Sequence, residues 1–146
     1  MKCDGLSYQK YINKGLNIFF LFGPEIVLKN NAKDDIKVHL ASQGFVEKKI
    51  VQDKEIDRLD KVIAENVGGS LFASKIIIEI SHTKGKIPES IQSIVDIDHL
   101  KKRDDIAIII DSHVDKVSNS LKWVKKLDEI ALIIESKKLK SFEEKI

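Results

Sequence analysis

Arginine is almost missing from this chain. Of its 25 basic residues only Arg58 and Arg103 are arginine, which leaves few of the planar forks favoured for phosphate and guanine recognition. An excess of one charge is missing too: residues 1–73 carry 11 basic and 10 acidic side chains, residues 74–146 carry 14 and 13. Nucleic acid and anionic membrane surfaces are usually drawn by a clustered basic face, which this even spread does not provide. Cysteine occurs once, as Cys3, so an internal disulfide and a CxxC metal site are excluded. A lone thiol fits a reducing, cytoplasmic setting. Nothing approaches the roughly 18 consecutive apolar residues of a membrane span, and the polar start Met1-Lys2-Cys3-Asp4 is unlike a signal peptide. His39, His82, His99 and His113 lack metal-ligand spacing, so neither a metal nor a cofactor is expected. No internal repeat or low-complexity segment stands out.

What is present suits one soluble globular domain. The 146 residues suffice for a sizeable core, and 42% are hydrophobic against 33% charged. Leu6 to Lys14 reads as a short amphipathic helix capped by Gly15. Asn17 to Phe22 is an unbroken apolar run of strand length, the pattern of a strand covered on both faces. Pro24 and Glu25 open a helix to about Gln43, with Ile26, Leu28, Ala32, Ile36, Val38 and Leu40 available for packing. Phe45 to Val51 is a strand whose Glu47, Lys48 and Lys49 suit a sheet edge. Asp53 to Asn66 is a helix with the stripe Ile56, Leu59, Val62, Ile63. Lys75 to Ile80 is the third strand, and His82 to Lys86 a polar loop. A helix opened by Pro88 places Ile91, Ile94, Val95 and Leu100 inward. Asp105 to Asp111 is the fourth strand; a helix through Leu121, Trp123, Val124 and Leu127 follows, then the fifth strand Ile130 to Ile134. Such alternation predicts an α/β fold of three layers, αβα, around a five-stranded parallel sheet.

Five places are weighed for chemistry. Gly23-Pro24-Glu25-Ile26-Val27-Leu28-Lys29-Asn30 follows the first strand, where a phosphate loop belongs, and Gly23 and Lys29 fit its spacing. Leu28 replaces the second glycine, however, and Asn30 the metal-binding hydroxyl. Glu25 adds a negative charge where phosphates would sit. ATP is therefore expected neither to bind nor to be hydrolysed. Glu79 and Asp111 are single carboxylates at strand ends and read as solvated or capping residues, not as a catalytic pair. Lys101-Lys102-Arg103 reads as a solvated charge run, and Trp123 as core.

The last place is Val67-Gly68-Gly69-Ser70-Leu71-Phe72. Two glycines stop a helix, at roughly 1 kcal/mol per position relative to Ala, and Ser70 can cap a new turn. Leu71 and Phe72 then either begin the next core element or form an apolar plug presented to a partner's pocket.

These residues, taken together, resemble a known family. Phe19-Phe20-Leu21-Phe22-Gly23-Pro24-Glu25, Gly44-Phe45-Val46-Glu47, Ser70-Leu71-Phe72-Ala73-Ser74-Lys75 and Lys122-Trp123 are similar in order and spacing to the delta subunit of bacterial DNA polymerase III. The resemblance implies an N-terminal AAA+-like, P-loop-NTPase-like module that has lost ATP binding, with strand order 5-1-4-3-2. It implies a non-catalytic clamp-loader subunit, part of a complex with DNA-directed DNA polymerase activity, that opens the sliding clamp (the beta subunit) during DNA replication. On that reading Leu71 and Phe72 enter a clamp pocket, flanked by Val67, Gly68, Gly69 and Ser70, while Gly23 and Lys29 are vestigial. Here Val67, Gly68 and Gly69 replace the polar and bulkier apolar residues usual before Ser-Leu-Phe, which implies a more mobile plug. Other loader subunits would be partners of the full-length protein, with DNA met only through the complex. Residues 1–136 would form this domain and 137–146 the approach to a second one. The competing readings are a P-loop nucleotide-binding protein and a plain nucleic-acid-binding module.

Overall fold

A computed structural model of the chain describes residues 2–66, 75–83, 86–96 and 104–137. Six strands form one parallel sheet: β1 (Lys2–Asp4), β2 (Ile18–Phe22), β3 (Phe45–Val51), β4 (Lys75–His82), β5 (Ile106–Ser112) and β6 (Leu132–Glu135). Their order is β1-β6-β2-β5-β4-β3. The expected count of five, and with it the order written for five, is therefore corrected. The difference is β1, whose Lys2, Cys3 and Asp4 pair with Ile133, Ile134 and Glu135 along the open edge of β6. Three residues carry no periodicity by themselves; the free edge of β6 makes them a strand.

The helix expected over Leu6 to Lys14 is also corrected. The Asp4 carboxylate accepts the N–H groups of Leu6 and Ser7, both at 2.9 Å, and turns the chain away from the strand. Two single 3-10 turns follow, Tyr8–Lys10 and Ile12–Lys14, and Gly15 closes the second at φ 79°. Tyr8 and Ile12 enter the core, whereas Leu6 remains exposed.

Four α-helices are described: α1 (Ile26–Ser42), α2 (Leu59–Asn66), α3 (Glu89–Gln92) and α4 (Lys122–Ile130). The expected helix from Asp53 begins as a 3-10 segment, Asp53–Arg58, and the one after Pro88 continues as another, Ser93–Asp96. On one face of the sheet, Ile56, Leu59, Val62, Ile63, Ile91, Ile94 and Leu127 pack against Phe20, Ile78, Ile108 and their neighbours. On the other, Ala32, Ile36 and Leu40 of α1 pack with Tyr8 and Ile12 against Phe19, Leu21, Ile77 and Ile109. These are the three layers. Along α1 the i, i+4 row wins: Ala32, Ile36 and Leu40 are buried, whereas Ile26 and Val38 are 59% and 70% exposed and do not pack as expected. β4 runs two residues past its expected end and buries His82, which is therefore not in a polar loop.

Candidate functional site

In the loop after β2, three backbone donors have partners within the chain. The Gly23 N–H donates to the Val114 carbonyl at 2.9 Å, and the Glu25 N–H to the Ser136 carbonyl at 3.1 Å. The Val27 N–H goes to the Glu25 carboxylate at 3.3 Å, which caps α1. Gly23 sits at φ 116°, and a Cβ there would lie 2.4 Å from the Ser136 carbonyl oxygen. The chain leaving β6 thus lies directly against the loop. Gly23 is required by that contact, without any ligand.

Lys29 is turned inward and only 2% exposed. Its ammonium lies 3.1 Å from Asp111 Oδ1 and donates to the Ser112 carbonyl at 3.3 Å. It begins a row, since Lys33 and Lys37 follow at successive i+4 positions on α1, beside the apolar row. Lys33 bridges two strands, at 2.8 Å from Asp111 Oδ2 and 3.6 Å from Glu79. Lys37 lies 2.9 Å from Glu79, and Lys48 of β3 reaches the same carboxylate at 3.7 Å. His113 comes within 3.8 Å of Asp111.

Glu79 and Asp111 are therefore buried and paired; the expectation of solvated or capping carboxylates is corrected. Burial pushes the Asp111 carboxyl up, but the hydrogen bond from Lys33 and the charge of Lys29 outweigh it, and its pKa lies below the ordinary value. Burial likewise pulls Lys33 down, and Asp111 with Glu79 more than reverses this, so its ammonium holds its proton more tightly than usual. Among the described residues, no group of three His, Cys, Asp or Glu side chains is placed to hold a metal.

Val67, Gly68, Gly69, Ser70, Leu71 and Phe72 lie outside the described residues, as do His99, Lys101, Lys102 and Arg103. The anchors on either side of the first segment are well placed. Leu59, Val62 and Ile63 fix α2 in the core. Lys75 opens β4 by donating to the Gln43 carbonyl at 2.9 Å, with its ammonium 5.3 Å from the centre of the Phe45 ring.

The family described as DNA polymerase III, delta subunit, matches this chain over residues 19–137. The chain belongs to that family. Among solved structures, the Bacillus subtilis DNA clamp loader delta protein (YqeN) is similar in fold, with a TM-score of 0.66 at 18% identity. The match covers 95% of this chain and 44% of that one, so the present chain spans less than half of its relative's length. C. elegans PCH-2 gives a TM-score of 0.48 at 13% identity over 90% of this chain and 38% of that one. No curated protein matches the chain in sequence.

Sequence reasoning singled out Gly23 and Lys29 as a vestigial phosphate loop; Gly23 lies in the loop after β2 and Lys29 in the first turn of α1, and the ion pair that Lys29 makes was missed. It also passed over Lys33 and Lys37. The signal was the spacing 29, 33, 37 beside 32, 36, 40, a cationic row flanking an apolar one on a single helix. Trp123, expected in the core, is half-buried and edge-on to Phe20, with ring centroids 5.9 Å apart. No helix among the described residues is long and apolar enough to cross a membrane.

Proposed function

We propose that this chain is the AAA+-like module, residues 1–136, of a non-catalytic clamp-loader subunit that binds and opens the sliding clamp of DNA polymerase III. Family membership supports this reading, and the observation that carries it furthest is the loop after β2. The N–H groups of Gly23, Glu25 and Val27, together with Lys29, are spent on Val114, Ser136, Glu25 and Asp111, groups of the chain itself. A nucleotide would have to displace these contacts and bring its phosphates beside Glu25, against like-charge repulsion. The subunit then contributes by binding, not by hydrolysis. It acts in the cytoplasm, alongside other loader subunits, and meets DNA through that assembly.

The contact we assign to the clamp is the 67–72 segment, with Leu71 and Phe72 as apolar anchors. Binding energy concentrates in such anchors, and truncating one typically costs about 2 kcal/mol or more. Surface plasmon resonance against the cognate clamp is the test. Phe72→Ala should weaken binding at least about thirtyfold with the melting temperature nearly unchanged. A collapse of the melting temperature would return Phe72 to the core, and absence of binding by the folded wild-type chain would remove the proposal.

A further inference from the structure

On the face of the sheet opposite α1, a groove of about 450 Å³ opens among the described residues between the approach to α3 and the start of α4. Ile87, Val114, Val117, Leu121 and Trp123 give it apolar walls, and Lys86 and Lys116 are the charged residues of its lining. No carboxylate lines it. Neither lysine makes an ion pair among the described residues, whereas Lys29, Lys33, Lys37 and Lys48 are all paired. One wall is fixed, because the Gln92 amide donates to the Ile87 carbonyl at 2.8 Å. The Trp123 ring is held edge-on by Phe20.

We propose that this groove binds a small amphipathic carboxylate, with its hydrocarbon body against Val114, Val117, Leu121 and Trp123 and its anionic head between Lys86 and Lys116. The volume falls within the ~300–1,000 Å³ of small-molecule sites, which combine apolar walls with a few polar groups that fix orientation. Two lining lysines that make no ion pair among the described residues complement a single anionic head. The proposal concerns elements other than the 67–72 segment and stands whether or not the chain binds a clamp.

The chain has one tryptophan, so the Trp123 indole N–H gives a single, assigned NMR signal. Titration with 4-phenylbutyrate should shift that signal saturably at millimolar concentrations or below. The neutral analogue 4-phenyl-1-butanol should bind at least about tenfold more weakly, a difference of about 1.4 kcal/mol. In the double variant Lys86→Gln/Lys116→Gln the carboxylate should lose its advantage while the alcohol binds as before. Both lysines are exposed, so folding is not at stake in this variant. The proposal fails if phenylbutyrate produces no saturable shift of the indole, if acid and alcohol bind alike to the wild type, or if the double variant keeps the preference for the acid. A peptide with acidic and apolar residues that binds there when phenylbutyrate does not would assign the groove to a protein partner instead.

Discussion

On the face of the sheet covered by α1, lysines from α1 and β3 meet the carboxylates of β4 and β5. On the other face the layer from Ile18 to Ile133 is apolar, with the buried, hydrogen-bonded His82 and Ser112 at the ends of β4 and β5. In open α/β sheets, ligands gather at the carboxyl ends of the strands. At that end, the α1 side is filled with the chain's own ammonium groups, while the other side leaves a groove lined by Lys86 and Lys116, which make no ion pair among the described residues. A buried carboxylate costs several kcal/mol unless a partner offsets it. Asp111 and Glu79 therefore tie α1 to the sheet by a requirement, not merely by an attraction. The opposite face holds α2, α3 and α4 by apolar area, with no such requirement.

The comparison breaks most sharply if the lysine row is removed. Lys29→Met with Lys33→Met leaves Asp111 buried without a lysine and should cost about 3–5 kcal/mol in denaturant unfolding. Adding Asp111→Asn should restore more than half of that loss, because the uncompensated charge, not the missing attraction, is the main cost. Failure to recover would mean that the lysine stems matter mainly as packing.

A smaller effect is expected at Gly23, where the α1-side loop meets Ser136. Gly23→Ala forces a Cβ into a positive-φ conformation and against a backbone carbonyl, at a cost of about 1–3 kcal/mol. A melting temperature equal to that of the wild type would show that the loop and Ser136 can separate freely.

Acid should act on the same side. The folded pKa of Asp111 is depressed, so its contribution is complete above the unfolded value near 3.8 and is lost as pH falls through the folded value. Lys33 has the opposite sign: its raised pKa gives stability that is complete below 10.5 and fades as pH rises beyond it. Unfolding curves of the wild type should steepen below about pH 4 relative to those of the Lys29→Met/Lys33→Met/Asp111→Asn variant. Parallel acid limbs would clear Asp111 of this role.

The smallest effect sharpens the contrast. Lys126 of α4 and Asp96 form an ion pair at 3.3 Å on the apolar side, but their side chains are 61% and 65% exposed. Such a pair is screened by solvent, and Lys126→Ala should change stability by less than about 0.5 kcal/mol. A loss comparable to that of the buried row would mean that exposure does not separate the two classes.

Much of this was legible in the residues themselves. The runs Ile18–Phe22 and Ile106–Ile110, short and without alternation, read as strands covered on both faces, and they are. Family likeness was readable from the order of the short motifs. Local patterning determines these features, since it needs only neighbours along the chain. β1 was not legible, because a three-residue strand exists only through the edge of β6 that it completes. The pairing of Lys29 and Lys33 with Asp111 was not legible either, nor the groove that joins Lys86 to Lys116. Each depends on groups brought together from distant parts of the chain, and burial, which decides whether a charge must be paired, is a property of the packed layers.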